Sequence, residues 1–106
     1  MQHDMTITIL TPEKEIFKGA IVSVKVPGAA GQFQVLENHA PIVASLDAGV
    51  IELRTAKGEY EYFDEESGAI KTASEADKNI SFRIEGGFIE VLKNDVSLLV
   101  RGVKNS

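Results

Sequence analysis

The sequence predicts an all-β fold of short strands, a β-sandwich or a barrel. Three observations carry the prediction. Hydrophobicity alternates with a period of two through most of the chain, as half-buried strands require. Turn signals rich in Gly, Pro, Asn and Asp recur at intervals of roughly 8–12 residues, the spacing of a sandwich or barrel. No window of a dozen residues carries a helical stripe.

The elements follow in order. Met5, Ile7 and Ile9 fall on one face with Thr6 and Thr8 on the other, and Thr11-Pro12-Glu13 ends the strand because proline has no amide for a ladder. A short piece, Glu15 to Lys18, stops at Gly19. Ala20 to Val26 alternates, grouping Val22, Val24 and Val26, and Pro27-Gly28 signals a turn. Gln32 to Leu36 alternates weakly, Glu37-Asn38-His39 makes a polar corner closed by Ala40-Pro41, and Ile42 to Leu46 follows. Asp47-Ala48-Gly49 turns into Val50 to Arg54, with Ile51 and Leu53 facing inward, and Lys57-Gly58 turns again before Glu59 to Phe63. Near the end, Phe82 to Val91 reads as strand, glycine break, strand. The pair Gly86-Gly87 signals a bulge or the close passage of another backbone. Lys93-Asn94-Asp95 is a tight turn into the last strand, Val96 to Arg101.

One segment departs from this rhythm. Asp64 to Asn79 holds five acidic residues against two basic ones, so it carries −3 of the chain's −5. It reads as an acidic insertion within a single domain spanning residues 1–106, forming an extended hairpin or loop at about 60–81. The simplest reading is a solvated hairpin tip. Thr72 to Asp77 has the makings of one helical turn capped by Ser74.

Composition narrows the function. A chain of 106 residues with 43% hydrophobic content suits one globular core. Cysteine is absent, which removes disulfides and the strongest metal ligand. A net charge of −5 argues against nucleic acid, whose phosphates require a basic patch. No apolar run approaches the ~18 residues that span a bilayer, and Met1 to Thr6 has no signal-peptide pattern, so the expectation is a soluble intracellular chain. Catalytic motifs are missing: no phosphate loop, no His-Glu-x-x-His, no Gly-x-Ser-x-Gly. Glu65-Glu66 are adjacent carboxylates that point apart. His3 sits at the terminus and His39 stands alone, so no catalytic, cofactor-binding or metal residues are predicted. A lone histidine at a proline corner reads as a hydrogen-bonded structural or surface residue. Leu98 and Leu99 put apolar side chains on both faces of the last strand, and Leu10, Leu36 and Val43 raise the same question elsewhere. These residues are either a docking surface or scattered exposed apolar groups.

Three stretches resemble a known family, the epsilon subunit of the rotary F-type ATP synthase and specifically its N-terminal β-sandwich. They are Thr8-Ile-Leu-Thr-Pro-Glu-Lys-Glu-Ile-Phe-Lys-Gly19; Val24-Lys-Val-Pro-Gly-Ala-Ala-Gly-Gln-Phe-Gln-Val-Leu-Glu-Asn-His-Ala-Pro41, running on to Leu46-Asp-Ala-Gly-Val50; and Glu85-Gly-Gly-Phe-Ile-Glu-Val91. Glu37-Asn38 stands where relatives often carry Pro-Gly, and the segment 64–79 replaces a short turn. The chain stops at Ser106, where many members continue into a helical hairpin that brakes hydrolysis and in some members binds ATP; neither feature is expected here.

The resemblance implies a two-layer β-sandwich of short, mostly antiparallel strands, serving as a non-catalytic rotor subunit of the central stalk at the cytoplasmic face of the bacterial membrane. Its partners would be the gamma subunit and the c-ring, with no cofactor and no insertion into the bilayer, and it would help couple proton flow to ATP synthesis. The implied docking residues are Gln32 and Phe33 towards the ring, the loop Glu37, Asn38, His39 and Ala40, and the strand Ile42, Val43 and Ala44 towards gamma. An isolated copy would be free to dimerise through the same patch. The alternative is a free-standing β-sandwich module that binds a peptide or carbohydrate; the absence of Trp and the single pair Tyr60 and Tyr62 weigh against it.

Overall fold

The computed structural model describes residues 5–105. His3 and the rest of residues 1–4, with Ser106, lie outside the described residues. Among the described residues ten strands follow in order: β1 (Met5–Leu10), β2 (Glu15–Gly28), β3 (Gly31–Leu36), β4 (Ile42–Leu46), β5 (Gly49–Asp64), β6 (Ala69–Ala73), β7 (Asn79–Ile84), β8 (Gly86–Leu92), β9 (Asp95–Arg101) and β10 (Lys104–Asn105).

Two long strands build both layers. The first half of β2 pairs with β1 and its second half with β3. The first half of β5 pairs with β7, and its last residues, Tyr60–Asp64, pair with β6. The front layer therefore runs β4-β8-β9-β1-β2-β5-β6, and the back layer runs β3-β2-β5-β7-β10. The strands are antiparallel except for β1 beside β9. The shortest extent of 20 Å fits two sheets packed about 10 Å apart.

Between the layers lie the inward residues of the alternating strands: Ile7 and Ile9, Val24 and Val26, Val35, Ile51 and Leu53, Ile89 and Leu98. Phe17, fully buried, stacks on Tyr60 at 5.2 Å and meets Phe82 edge-on at 6.2 Å. The tight turn expected at Lys93-Asn94 is present. Both residues have positive φ (49° and 65°), the backbone a two-residue hairpin demands.

Several expectations need correction. Gly19 does not end a strand, because β2 continues through it. An added Cβ at Gly19 would meet the Tyr60 side chain, so glycine lets β5 pass close beside β2. Val22 does not face inward with Val24 and Val26. Register shifts on either side of Ile21 turn it out, and it is 44% exposed. Lys57-Gly58 does not reverse the chain either. It lies in an irregular stretch of β5, with Gly58 at φ 125°, where the strand crosses from one layer to the other. Thr72 to Asp77 forms no helical turn: Thr72 and Ala73 belong to β6 and the rest is a connector. Two of the strands are far from short, at 14 and 16 residues.

The sequence 64–79 is thus half strand. Gly68 closes the β5–β6 hairpin at φ 70°, its amide donating to the Asp64 carbonyl. The return path from β6 to β7 is pinned by Thr55, whose side chain is buried. The Thr55 hydroxyl donates to the Glu75 carbonyl and accepts from the Lys78 amide, while its backbone exchanges hydrogen bonds with Lys78 and Asp77.

Candidate functional site

Inward alternation leaves every second residue of the front layer facing out. The register aligns Leu10 with Leu99, Leu99 with Phe88, and Phe88 with Ser45, so three large apolar side chains form a row across β1, β9 and β8. Val43 lies one step diagonally away on β4 and is 73% exposed; Phe88 is 57% exposed. The row is contiguous, which separates it from apolar residues scattered singly over a surface. Leu10, Leu99 and Val43 were legible as exposed apolar residues from the sequence. Phe88 was not singled out, although its signal was present: Ile89 and Val91 face inward, which forces Phe88 outward.

The polar corner sits at one end of this face. Asn38 adopts φ 67°, and its amide donates to Asn94 Oδ1 at 2.6 Å, while Asn94 Nδ2 returns a hydrogen bond to Asn38 Oδ1 at 3.3 Å. The corner is therefore stapled to the β8–β9 turn. His39 is half-buried; its amide donates to the Leu36 carbonyl, and its Nδ1 lies 2.7 Å from the Ala40 carbonyl. Both bonds fold the loop on itself, so the imidazole holds the corner's shape.

The nine docking residues divide. Gln32, Glu37, Asn38, Ala40 and Val43 are exposed, His39 is half-buried in the corner, and Phe33, Ile42 and Ala44 are partly buried against the core. Nor do they form one cluster. Gln32 and Glu37 stand at opposite ends of β3, roughly 17 Å apart at about 3.4 Å per residue. The Ala29-Ala30 turn and Gln32 mark one tip of the molecule, and the Asn38 corner marks the other. Leu36, 51% exposed, lies on the back layer rather than on the apolar row.

Electrostatics concentrate at the hairpin. The Lys71 ammonium, 3.0 Å from Asp64 Oδ2, holds the Asp64 carboxyl below the usual carboxylate range, with Ser67 assisting. Asp64 raises Lys71 in turn. A depressed acid stabilises the fold above its unfolded pKa, and that contribution is lost as pH falls through the folded value. Acidification is expected to open the hairpin tip before the sandwich. Amide exchange at Ser67 and Gly68 would accelerate as pH falls, relative to the intrinsic rate, and Asp64→Asn would abolish the pH dependence. Burial, followed by the hydrogen-bonded Glu61 carboxyl, pushes Glu15 above its ordinary range.

Two hollows flank the hairpin. One, of about 370 Å³, is floored by Phe17, Tyr60, Tyr62 and Phe82. The other, a trough of about 700 Å³, lies on the outer face of the front layer between Thr8 of β1, Ser97 of β9 and Thr72 of β6. Among the described residues, no three His, Asp or Glu side chains converge on a point that could hold a metal.

Comparison with known proteins agrees with this geometry. Residues 4–71 match the family model described as the ATP synthase Delta/Epsilon chain, beta-sandwich domain. An ATP synthase epsilon chain from Leptospira borgpetersenii is 43% identical over 97 residues, covering 92% of this chain and 61% of that protein. One from Chlorobium limicola is 37% identical over 97 residues, covering 92% of this chain and 89% of that protein. A chain in the structure of Euglena gracilis mitochondrial ATP synthase, OSCP/F1/c-ring, shares the fold at TM-score 0.73 and 18% identity, over 99% of this chain and 55% of its own. The chain spans about three fifths of the length of the Leptospira relative. With the match running from β1 through β5 into β6, the chain belongs to the ATP synthase delta/epsilon family, as its β-sandwich domain.

Proposed function

We propose that this chain is a non-catalytic rotor subunit of a proton-translocating ATP synthase. Its outer front face docks on the gamma subunit, and its Gln32 tip meets the polar loops of the c-ring. It works at the cytoplasmic face of a bacterial membrane, held there by the complex, and helps couple proton flow to ATP synthesis. Catalysis belongs to other subunits. The observation that carries the reading is the contiguous apolar row Leu10–Leu99–Phe88 with Val43 beside it. A water-exposed row of this kind on a two-layer sheet is stabilised when a partner covers it.

Torque transfer needs a body that does not deform, and the two strands shared between layers supply one. A shear between the sheets would have to bend β2 and β5 and disturb the close-packed core around Phe17. The Asn38–Asn94 staple fixes the corner, so Glu37, Asn38 and Ala40 present a defined polar edge beside the apolar face. The ring contact at the Gln32 tip is the smaller and more polar of the two.

Val43→Glu places a charge where an apolar partner surface would close. The chain should fold normally, since Val43 is 73% exposed. Co-purification of gamma should fall at least about tenfold, a charge buried at an interface costing several kcal/mol. Wild-type recovery of gamma would overturn the docking of gamma on this face.

A further inference from the structure

We infer that the β5–β6 hairpin is an arm that widens the partner-binding face, and that the trough it creates receives a basic strip of the same partner that covers the apolar row. The inference rests on the docking reading above and extends it to residues the apolar row does not include.

The arm continues the front layer. Across the outer face the register aligns Thr8 with Lys18, Lys18 with Glu61 and Glu61 with Thr72, so β6 adds a further strand to the sheet that bears Leu10 and Leu99. The surface is continuous with the apolar row, because Thr8 and Leu10 face the same way on β1. It is also concave, with a volume of about 700 Å³, large enough to seat side chains of a rounded partner surface. Thr55 pins the far end of the arm, so the trough exists before any partner arrives.

Charge selects the occupant. Glu59, Glu61 and Asp95 line the trough against a single cation, Lys18. Among the described residues none of these three carboxylates has an ion-pair partner, whereas Asp64, on the arm's opposite face, is paired with Lys71. The Thr6 hydroxyl gives Asp95 a hydrogen bond at 2.6 Å but no positive charge. Carboxylates without a cation partner beside an apolar row, Glu61 among them although it is hydrogen-bonded to Glu15, favour lysine or arginine from the protein that covers the row. They disfavour phosphate groups, and they disfavour a second copy of a chain that is itself at −5.

The test uses the whole chain and the gamma subunit of the same organism, with binding followed at low and high salt. The double variant Glu59→Lys/Glu61→Lys should weaken binding about tenfold at low ionic strength, with the loss shrinking at ~0.5 M salt, where the Debye length is a few ångströms. Lys18→Glu should tighten binding, which no structural damage would do. Both variants binding within twofold of wild type while Val43→Glu still releases gamma would overturn the arm and leave the docking face standing. Weakening by Lys18→Glu as well as by the double variant would also overturn it. Normal binding by Val43→Glu would remove the docking reading and the arm together.

Discussion

Phe17→Ala is expected to lower the unfolding free energy by about 3–5 kcal/mol, the range for deleting a buried aromatic ring. Phe17 is fully buried where three strands meet: the register sets Ile9 of β1 on one side and Tyr62 of β5 on the other. Its ring stacks on Tyr60 and meets Phe82 of the opposite layer, so truncation would open a cavity between the sheets and unseat the base of the arm together. For a domain of this size the melting temperature should fall by roughly 12–40 °C at about 4–8 °C per kcal/mol. Phe17→Leu, which keeps most of the volume, should cost clearly less. A melting temperature for Phe17→Ala within a few degrees of wild type would mean that the aromatic cluster does not hold the layers together.

Thr55→Val is expected to cost about 1–3 kcal/mol without creating a cavity, because valine matches threonine in shape while stranding two hydrogen-bond partners. The hydroxyl is the shared partner of the Glu75 carbonyl and the Lys78 amide. Thr55 is the buried polar residue of a core that is otherwise apolar among the described residues. The damage should be local. Amide exchange should rise across residues 74–78 and β6 and much less in β8 and β9, which share no bond with Thr55. A uniform rise across all strands would show that the connector and the sandwich open as one unit. Thr55→Ser, which keeps the hydroxyl, should recover most of the protection.

Which parts of this molecule were legible in the sequence follows from how local their causes are. Strict alternation at Met5–Ile9, at Ile51 and Leu53, and at Ile89–Val91 translated directly into buried faces, because period two is a property of the strand alone. The Lys93-Asn94 turn was equally local, and the Gly86-Gly87 pair marks a close approach: an added Cβ at Gly87 would meet the Leu99 carbonyl and lie 2.8 Å from Val100 Cα. What failed were judgements about continuity. Gly19 and Lys57-Gly58 look like strand ends, yet both lie inside long strands, because backbone pairing across layers outweighs the local preference of glycine for turns. Val22 followed the alternation until a register shift that only its partners impose.

The docking residues show the same division. Val43 was legible because its neighbours Ile42 and Ala44 are small or apolar and one of the two faces must be wet. Phe33, Ile42 and Ala44 are partly buried against the core. Gln32 and the Asn38 corner are six residues apart in the sequence, and β3 holds them at its opposite ends. That separation suits a body with two different partners better than one with a single patch. The trough was invisible from sequence, since Lys18, Glu61 and Thr72 come together only through pairing of three distant strands.

The most direct test of the rotor assignment is recovery of the tagged chain from native membranes of its own host, with bound proteins identified by mass spectrometry. Gamma and the c subunit are expected to come with it, accompanied by alpha and beta. Recovery of none of these, from membranes shown to contain intact synthase, would contradict the rotor assignment and leave a family fold serving another partner.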